Sequence, residues 1–227
     1  MNNPEILYED NHIIVAVKPQ NMPSQADSSG DMDFLSQIKE YVRIKYQKPG
    51  EAYIGLVHRL DRPTGGVMVF ARTSKAAARL GAQLKENSFQ KSYLAVTRGS
   101  LPKEAALTDW LLKDAATNIS RVVSQDTPGA KYAELSYQTL EQAQGLSLLS
   151  VALKTGRSHQ IRVQLAHRGA PLLGDAKYGG TKNNSLCLWA YYVSFLHPTK
   201  KTRMEFSCPP PLQYPWELFK GLPRRLY

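Results

Sequence analysis

Two short stretches hold residue types at spacings from which chemistry can be built. The first is His58-Arg59-Leu60-Asp61-Arg62-Pro63-Thr64-Gly65, a polar segment between two apolar runs. Asp61 stands between two arginines, whose charges favour the ionised carboxylate. Such an aspartate reads as a turn residue before proline; Asp61 to Gly65 also resembles phosphoryl-aspartate motifs, but the Thr-Gly falls one residue too far on and no second aspartate stands two residues away. The second stretch is Lys154-Thr155-Gly156-Arg157-Ser158-His159-Gln160-Ile161-Arg162. It reads as a basic loop feeding a helix start, where N–H groups and the helix dipole attract phosphate. His159 and Arg162 lie three apart and share a helical face, while Ile161 and Leu165 can face a core. This is either a solvated basic face or a phosphate-binding one. An arginine beside core positions can also be held to pair with a buried carboxylate, and Asp61 is a candidate.

Other chemistries lack their residues. No Gly-x-x-x-x-Gly-Lys-Ser/Thr loop is present, and no spaced glycine triplet opens a helix after a strand. The five histidines (12, 58, 159, 167 and 197) lack the i, i+4 spacing of a zinc helix. Residues 51–100 contain only Glu51, Asp61 and Glu86 as acids, too few for a two-metal nuclease. The expectation is no metal and no nucleotide cofactor.

The charge points to a partner. Lysine and arginine exceed aspartate and glutamate by 10, and the sequence pI is about 9.6. Residues 1–50 carry five basic and seven acidic groups, so residues 51–227 carry 24 against 12. A localised basic excess suggests a polyanion, with nucleic acid first and an anionic membrane second. No apolar run reaches the ~18 residues of a membrane-spanning helix, and the first residues lack a signal-peptide pattern. Two cysteines, Cys187 and Cys208, make no disulfide framework and fit a reducing cytoplasm.

The elements that must position these groups follow from periodicity and punctuation. Ile13–Val17 reads as a strand halted by Lys18-Pro19, and residues 33–47 as a helix with Leu35, Ile38, Val42 and Tyr46 at helical spacing. Residues 53–58 and 66–71 read as buried strands around the Asp61 hinge. Ser74 is a plausible N-cap for a helix to about residue 86, with Ala77, Leu80 and Leu84 on one face. Strands are expected at 91–98, 107–113, 118–124, 131–139 and 147–154. Ser158 should then cap a helix that Gly169 ends, before closing strands at 186–195 and 202–207. This is α+β, with a mixed, largely antiparallel central sheet and flanking helices.

Taken in order, the motifs are similar to those of RluA-type pseudouridine synthases. His58 to Ala71 resembles their catalytic motif, Lys91-Ser92-Tyr93-Leu94-Ala95-Val96 their tyrosine motif, and Gly156 to Val163 their arginine motif. Gly169-x-Pro171, Gly174-Asp175-x-x-Tyr178-Gly179, Leu186-x-Leu188-x-Ala190 and Phe195-x-His197-Pro198 continue the likeness across nearly the whole chain. Gly65 stands where serine is usual, Trp189 where histidine is usual, and Gln20-Asn21 where small turn residues are common.

The resemblance implies a single catalytic domain over residues 1–227, without the N-terminal RNA-binding domain of many relatives; a monomer is the default expectation, and the two cysteines point to the cytoplasm. The same resemblance implies isomerisation of uridine to pseudouridine in tRNA or rRNA, without cofactor or metal. Asp61 would be the essential carboxylate, Arg162 its partner, and Tyr93 the residue that stacks on uracil and helps remove the ring proton. The target base must leave its stack; Arg59 would fill the vacated space and Leu188 would pack on the base. Lys154, Arg157, His159 and Arg168 are the expected backbone contacts, and Gly174 and Asp175 a structural turn. A non-catalytic RNA-binding protein would carry the same basic strip without needing this acid, tyrosine and arginine.

Overall fold

A computed structural model describes residues 3–99, 101–181 and 185–223. Along the chain run β1 (Glu5–Glu9), β2 (Ile13–Lys18), α1 (Phe34–Lys45), β3 (Gly55–Leu56), β4 (Gly65–Ala71) and α2 (Ser74–Lys85). There follow β5 (Gln90–Arg98), β6 (Glu104–Asp114), β7 (Ile119–Val123), β8 (Lys131–Ala143) and β9 (Leu146–Leu153). The series closes with α3 (Gln160–His167), β10 (Leu188–Leu196), β11 (Arg203–Ser207) and a 3-10 turn at Trp216–Leu218. The class is α+β, with largely antiparallel strands and three α-helices among the described residues. The chain divides into two compact units, residues 3–91 with 190–210, and residues 92–189 with 211–223.

In the first unit, β2 pairs antiparallel with β1 and β4, β3 with β4, and β10 with β11. Every residue of β2 and β4 is buried, which explains why both read as unbroken apolar runs rather than alternating ones. Phe34, Ile38 and Val42 of α1 and Ala76 and Leu80 of α2 are buried with them. The Phe34 and Phe70 rings meet edge-on at 5.6 Å. The α1 cap is Asp33, whose carboxylate accepts from the Ser36 N–H at 3.0 Å.

The second unit is an antiparallel sheet in the order β5-β9-β8-β6-β7, with β6–β7 and β8–β9 as consecutive antiparallel pairs. Val163 of α3 packs with Leu111 and Ala133, with Val122 and Tyr178 against them. Gly169 ends α3 with a φ of +75°, as its lack of a Cβ permits.

Both expected serine caps are displaced by one residue. Thr73, not Ser74, caps α2: its backbone is extended (φ −141°) and its hydroxyl accepts from Ala76 N at 3.1 Å. At α3 the cap position is His159, in the left-handed region at φ +54°, rather than Ser158. The Gln160 side chain organises that entry instead, accepting from Arg157 N at 3.0 Å and from the Thr155 hydroxyl at 2.8 Å. The face of α2 is turned slightly, burying Ala76, Leu80 and Gln83 while Ala77 and Leu84 are half-buried. The 53–58 strand is reduced to Gly55–Leu56, and β1 and the 3-10 turn were not expected.

Gly66 sits at φ +125°, and a Cβ there would lie 2.2 Å from the Ala190 carbonyl oxygen. Backbone strain and a backbone clash coincide. Gly66→Ala should therefore cost about 2–4 kcal/mol. Chemical denaturation measures it, and a change within about 0.5 kcal/mol would mean that β4 and β10 do not approach this closely.

Candidate active site

The first unit carries Asp61 on the connection between β3 and β4. Thr64 N donates to the Asp61 carbonyl at 2.9 Å, closing the turn, and the aspartate is half-buried. The buried Ser24 grips the preceding residue, its hydroxyl donating to Leu60 O at 2.7 Å and accepting from Leu60 N at 3.0 Å. Behind the turn lies Lys18, fully buried at the end of β2. Its ammonium donates to Pro19 O (2.8 Å), Met22 O (2.6 Å) and Arg62 O (3.2 Å). Gln20 Nε2 donates to Pro63 O at 3.2 Å. Arg62 is turned toward residues 21–31, donating from Nε to Asn21 O at 3.3 Å and pairing with Asp31. Arg59 is exposed.

Burial pushes Lys18 down to about 7; the Asp61 charge opposes that shift and the Arg62 charge adds to it. Burial, with the Lys91 charge behind it, holds the His58 ring down to about 3. Its Nε2 accepts from Val69 N at 3.1 Å, and its ring lies 5.5 Å from Phe89. His58 is a structural histidine that fastens the loop to β4.

The second unit carries the other expected groups. Tyr93 is buried on β5 opposite Val151 of β9, and Leu188 is buried at the start of β10. Arg162 lies buried on α3, and its Nε and Nη2 donate to the two carboxylate oxygens of Asp175 at 2.8 and 2.7 Å. Asp175 is thus more than the turn residue expected of it: it forms a bidentate ion pair, the strong form for arginine and carboxylate. The Tyr178 ring lies 5.1 Å from the guanidinium carbon.

Lys154, Arg157 and His159 gather just before α3. Lys154 pairs with Glu134 at 3.0 Å, Arg157 Nε donates to Tyr132 O at 2.8 Å, and the His159 Nδ1 is hydrogen-bonded to Tyr178 Oη at 2.8 Å. Arg168 lies at the opposite end of this helix, about 12 Å away. There one guanidinium nitrogen contacts both Asp109 oxygens, at 2.9 and 2.8 Å. Sequence reasoning read Lys18 only as a strand end and Asp175 only as a turn residue, and missed the partners each makes. The signal for Lys18 was a lysine closing a fully apolar strand; for Asp175 it was an acid in an otherwise basic stretch. Among the described residues no group of three or more His, Cys, Asp or Glu is placed to hold a metal ion. Nor is any helix there long and apolar enough to cross a membrane.

The largely antiparallel α+β architecture is also that of solved pseudouridylate synthases. The structure titled "Human RNA Pseudouridylate Synthase Domain Containing 4" matches with a TM-score of 0.75 over 90% of this chain and 87% of its own, at 22% identity. "Human RNA Pseudouridylate Synthase Domain Containing 1" gives 0.74 over 99% and 90%, at 23% identity. The sequence profile of the RNA pseudouridylate synthase family matches residues 12–167. The chain belongs to that family, the isomerases that convert uridine in RNA to pseudouridine. Relatives include the ribosomal large subunit pseudouridine synthase C of Buchnera aphidicola from Schizaphis graminum, 32% identical over 92% of this chain and 67% of its own length. The uncharacterized RNA pseudouridine synthase YhcT of Bacillus subtilis is 35% identical over 86% of this chain and 64% of its own. The chain spans about two thirds of the length of these relatives.

The Lys18 environment has a measurable sign. The folded state holds this proton less tightly than the unfolded chain does, so folding becomes more favourable as pH rises from about 7 toward the ordinary lysine range. The stability of wild type relative to Lys18→Met should therefore rise above pH 7, by at most about 1.4 kcal/mol per pH unit. Denaturant titrations from about pH 6 to 9.5 read it. A difference independent of pH would show that the Lys18 ammonium is not desolvated.

Proposed function

We propose that this protein isomerises a uridine of large-subunit ribosomal RNA to pseudouridine, with Asp61 as the essential carboxylate. The observation that carries the reading is a family match running through the Asp61, Tyr93 and Arg162 motifs together. The ribosomal target rests on the names of the curated relatives. The two units work as one catalytic domain, and the protein acts on RNA as a monomer.

The reaction adds nothing and removes nothing. Asp61 either attacks the sugar carbon or deprotonates the sugar to a glycal, and the N1–C1′ bond breaks. The uracil turns and its C5 bonds to C1′ as the Asp61–C1′ bond breaks or, by the glycal route, as the carboxyl returns its proton to C2′; the C5 proton then leaves and N1 gains a proton. Tyr93 stacks on the base and helps take the C5 proton, and Arg162 supplies the positive charge that serves the carboxylate. Extracting the target from its stack costs a few kcal/mol. Arg59, a planar cation open to solvent, occupies the space left behind. Leu188 packs on the base, and the exposed Lys154 and Arg157 contact the RNA backbone, whereas His159 is buried against Tyr178 and supports that loop instead. Arg168 contacts the backbone too, through guanidinium N–H groups outside its Asp109 contact, which Nη1 alone makes. The non-catalytic RNA-binding reading lacks a use for a braced aspartate.

RNA carrying tritium at uridine C5 follows the reaction directly, because isomerisation sends that hydrogen to water. Wild type should release it; Asp61→Asn should lose turnover by roughly 10³-fold or more while RNA affinity stays within about twofold. Substantial release by Asp61→Asn would remove the aspartate from the mechanism. Tyr93→Phe keeps the ring and loses the hydroxyl, so turnover should fall by roughly 10²-fold with binding kept. Near-normal release would leave Tyr93 as a stacking residue only.

A further inference from the structure

We propose that Asp175, seconded by Tyr178, is the positioning residue for Arg162; the proposal rests on the reading that Arg162 serves the isomerisation. A guanidinium on a long side chain is fixed only if both its plane and its rotation within that plane are set. The Asp175 fork engages Nε and Nη2 and sets the rotation. The Tyr178 ring, 5.1 Å from the guanidinium carbon, covers the group and adds a cation–π attraction. The fork does not use Nη1, so the clamp holds the group without consuming that nitrogen.

Each half of the clamp is itself held. Tyr178 Oη accepts from Ser120 N at 2.8 Å and is hydrogen-bonded to His159 Nδ1 at 2.8 Å. The Asp175 backbone is locked into a turn, with its carbonyl accepting from Tyr178 N at 3.2 Å and Gly180 N at 2.7 Å. Lys177 N also donates to Asp175 Oδ1 at 3.2 Å. Gly180 is obligatory in that turn, because a Cβ would lie 2.3 Å from Leu172 O. The side chains of Arg162 and Asp175 are 5% and 0% exposed, so water does not compete for the fork. A buried ion pair is weak evidence for stability, since apolar replacements often stabilise as much. Its contribution here is orientation.

The test compares Asp175→Asn, Asp175→Glu and Tyr178→Phe for turnover, KM, RNA affinity and melting temperature. Asp175→Asn should lower kcat at least tenfold, with KM and RNA affinity within twofold of wild type. Asp175→Glu restores the charge but displaces the guanidinium by one methylene. It should regain most of the melting temperature while its kcat stays below a tenth of wild type. Tyr178→Phe keeps the ring but loses its two anchors, and should show a smaller loss of kcat than either. If Asp175→Asn does not fold, Asp175→Glu carries the comparison alone. Rates that simply follow the folded fraction, or that Asp175→Glu restores in full, overturn the positioning role while leaving the functional reading intact. A wild type that makes no pseudouridine overturns the functional reading and the positioning role with it.

Discussion

An ammonium group sealed from water at the end of β2 is the constraint around which the aspartate turn is built. A buried cation without partners is prohibitively costly, so Lys18 requires carbonyl oxygens, and it takes them from Pro19, Met22 and Arg62. Satisfying the lysine therefore draws residues 19–22 and the residue after Asp61 to one point. The sheet register makes this possible: Lys18 is the partner of Gly66, so the end of β2 meets the start of β4 just beyond the Asp61 turn. Gly66 is in turn the position where no side chain fits. Turn, strand ends and buried charge are thus one arrangement, and Ser24 adds a second grip at Leu60.

The second unit handles its buried cation differently. Arg162 is paired with a carboxylate rather than with carbonyls, and the pair is bidentate. Carbonyl oxygens neutralise no charge, which leaves Lys18 sensitive to the potential of Asp61 and Arg62. A carboxylate neutralises the guanidinium and fixes its direction together. The basic groups around α3 are similarly committed: Lys154 to Glu134 and Arg168 to Asp109. The positive surface expected from composition is therefore partly internal, with less of it available to RNA phosphates than a count of lysines and arginines implies.

The features legible from sequence were those set by local pattern. Ile13–Val17 and Gly66–Ala71 are apolar at every position, which only a strand buried on both faces tolerates. The Asp61 turn and Gly169 carry their own turn chemistry. What escaped was decided by single dihedral angles or by distant partners. Thr73 and Ser74 are both good caps, and only the extended backbone of Thr73 selects between them. The left-handed His159 has no side-chain signature at all. Lys18 reaches a carbonyl 44 residues away and Arg162 a carboxylate 13 residues away, and periodicity carries no information about such pairs.

The proposed substrate is a set of particular uridines in large-subunit ribosomal RNA. Mapping pseudouridine at single-nucleotide resolution, on unmodified large-subunit transcript incubated with the purified protein, tests that proposal most directly. The account predicts modification at one or a few defined uridines, in wild type and not in an aspartate-loop variant. An unchanged map across the whole transcript, with a folded protein that binds it, would contradict the account.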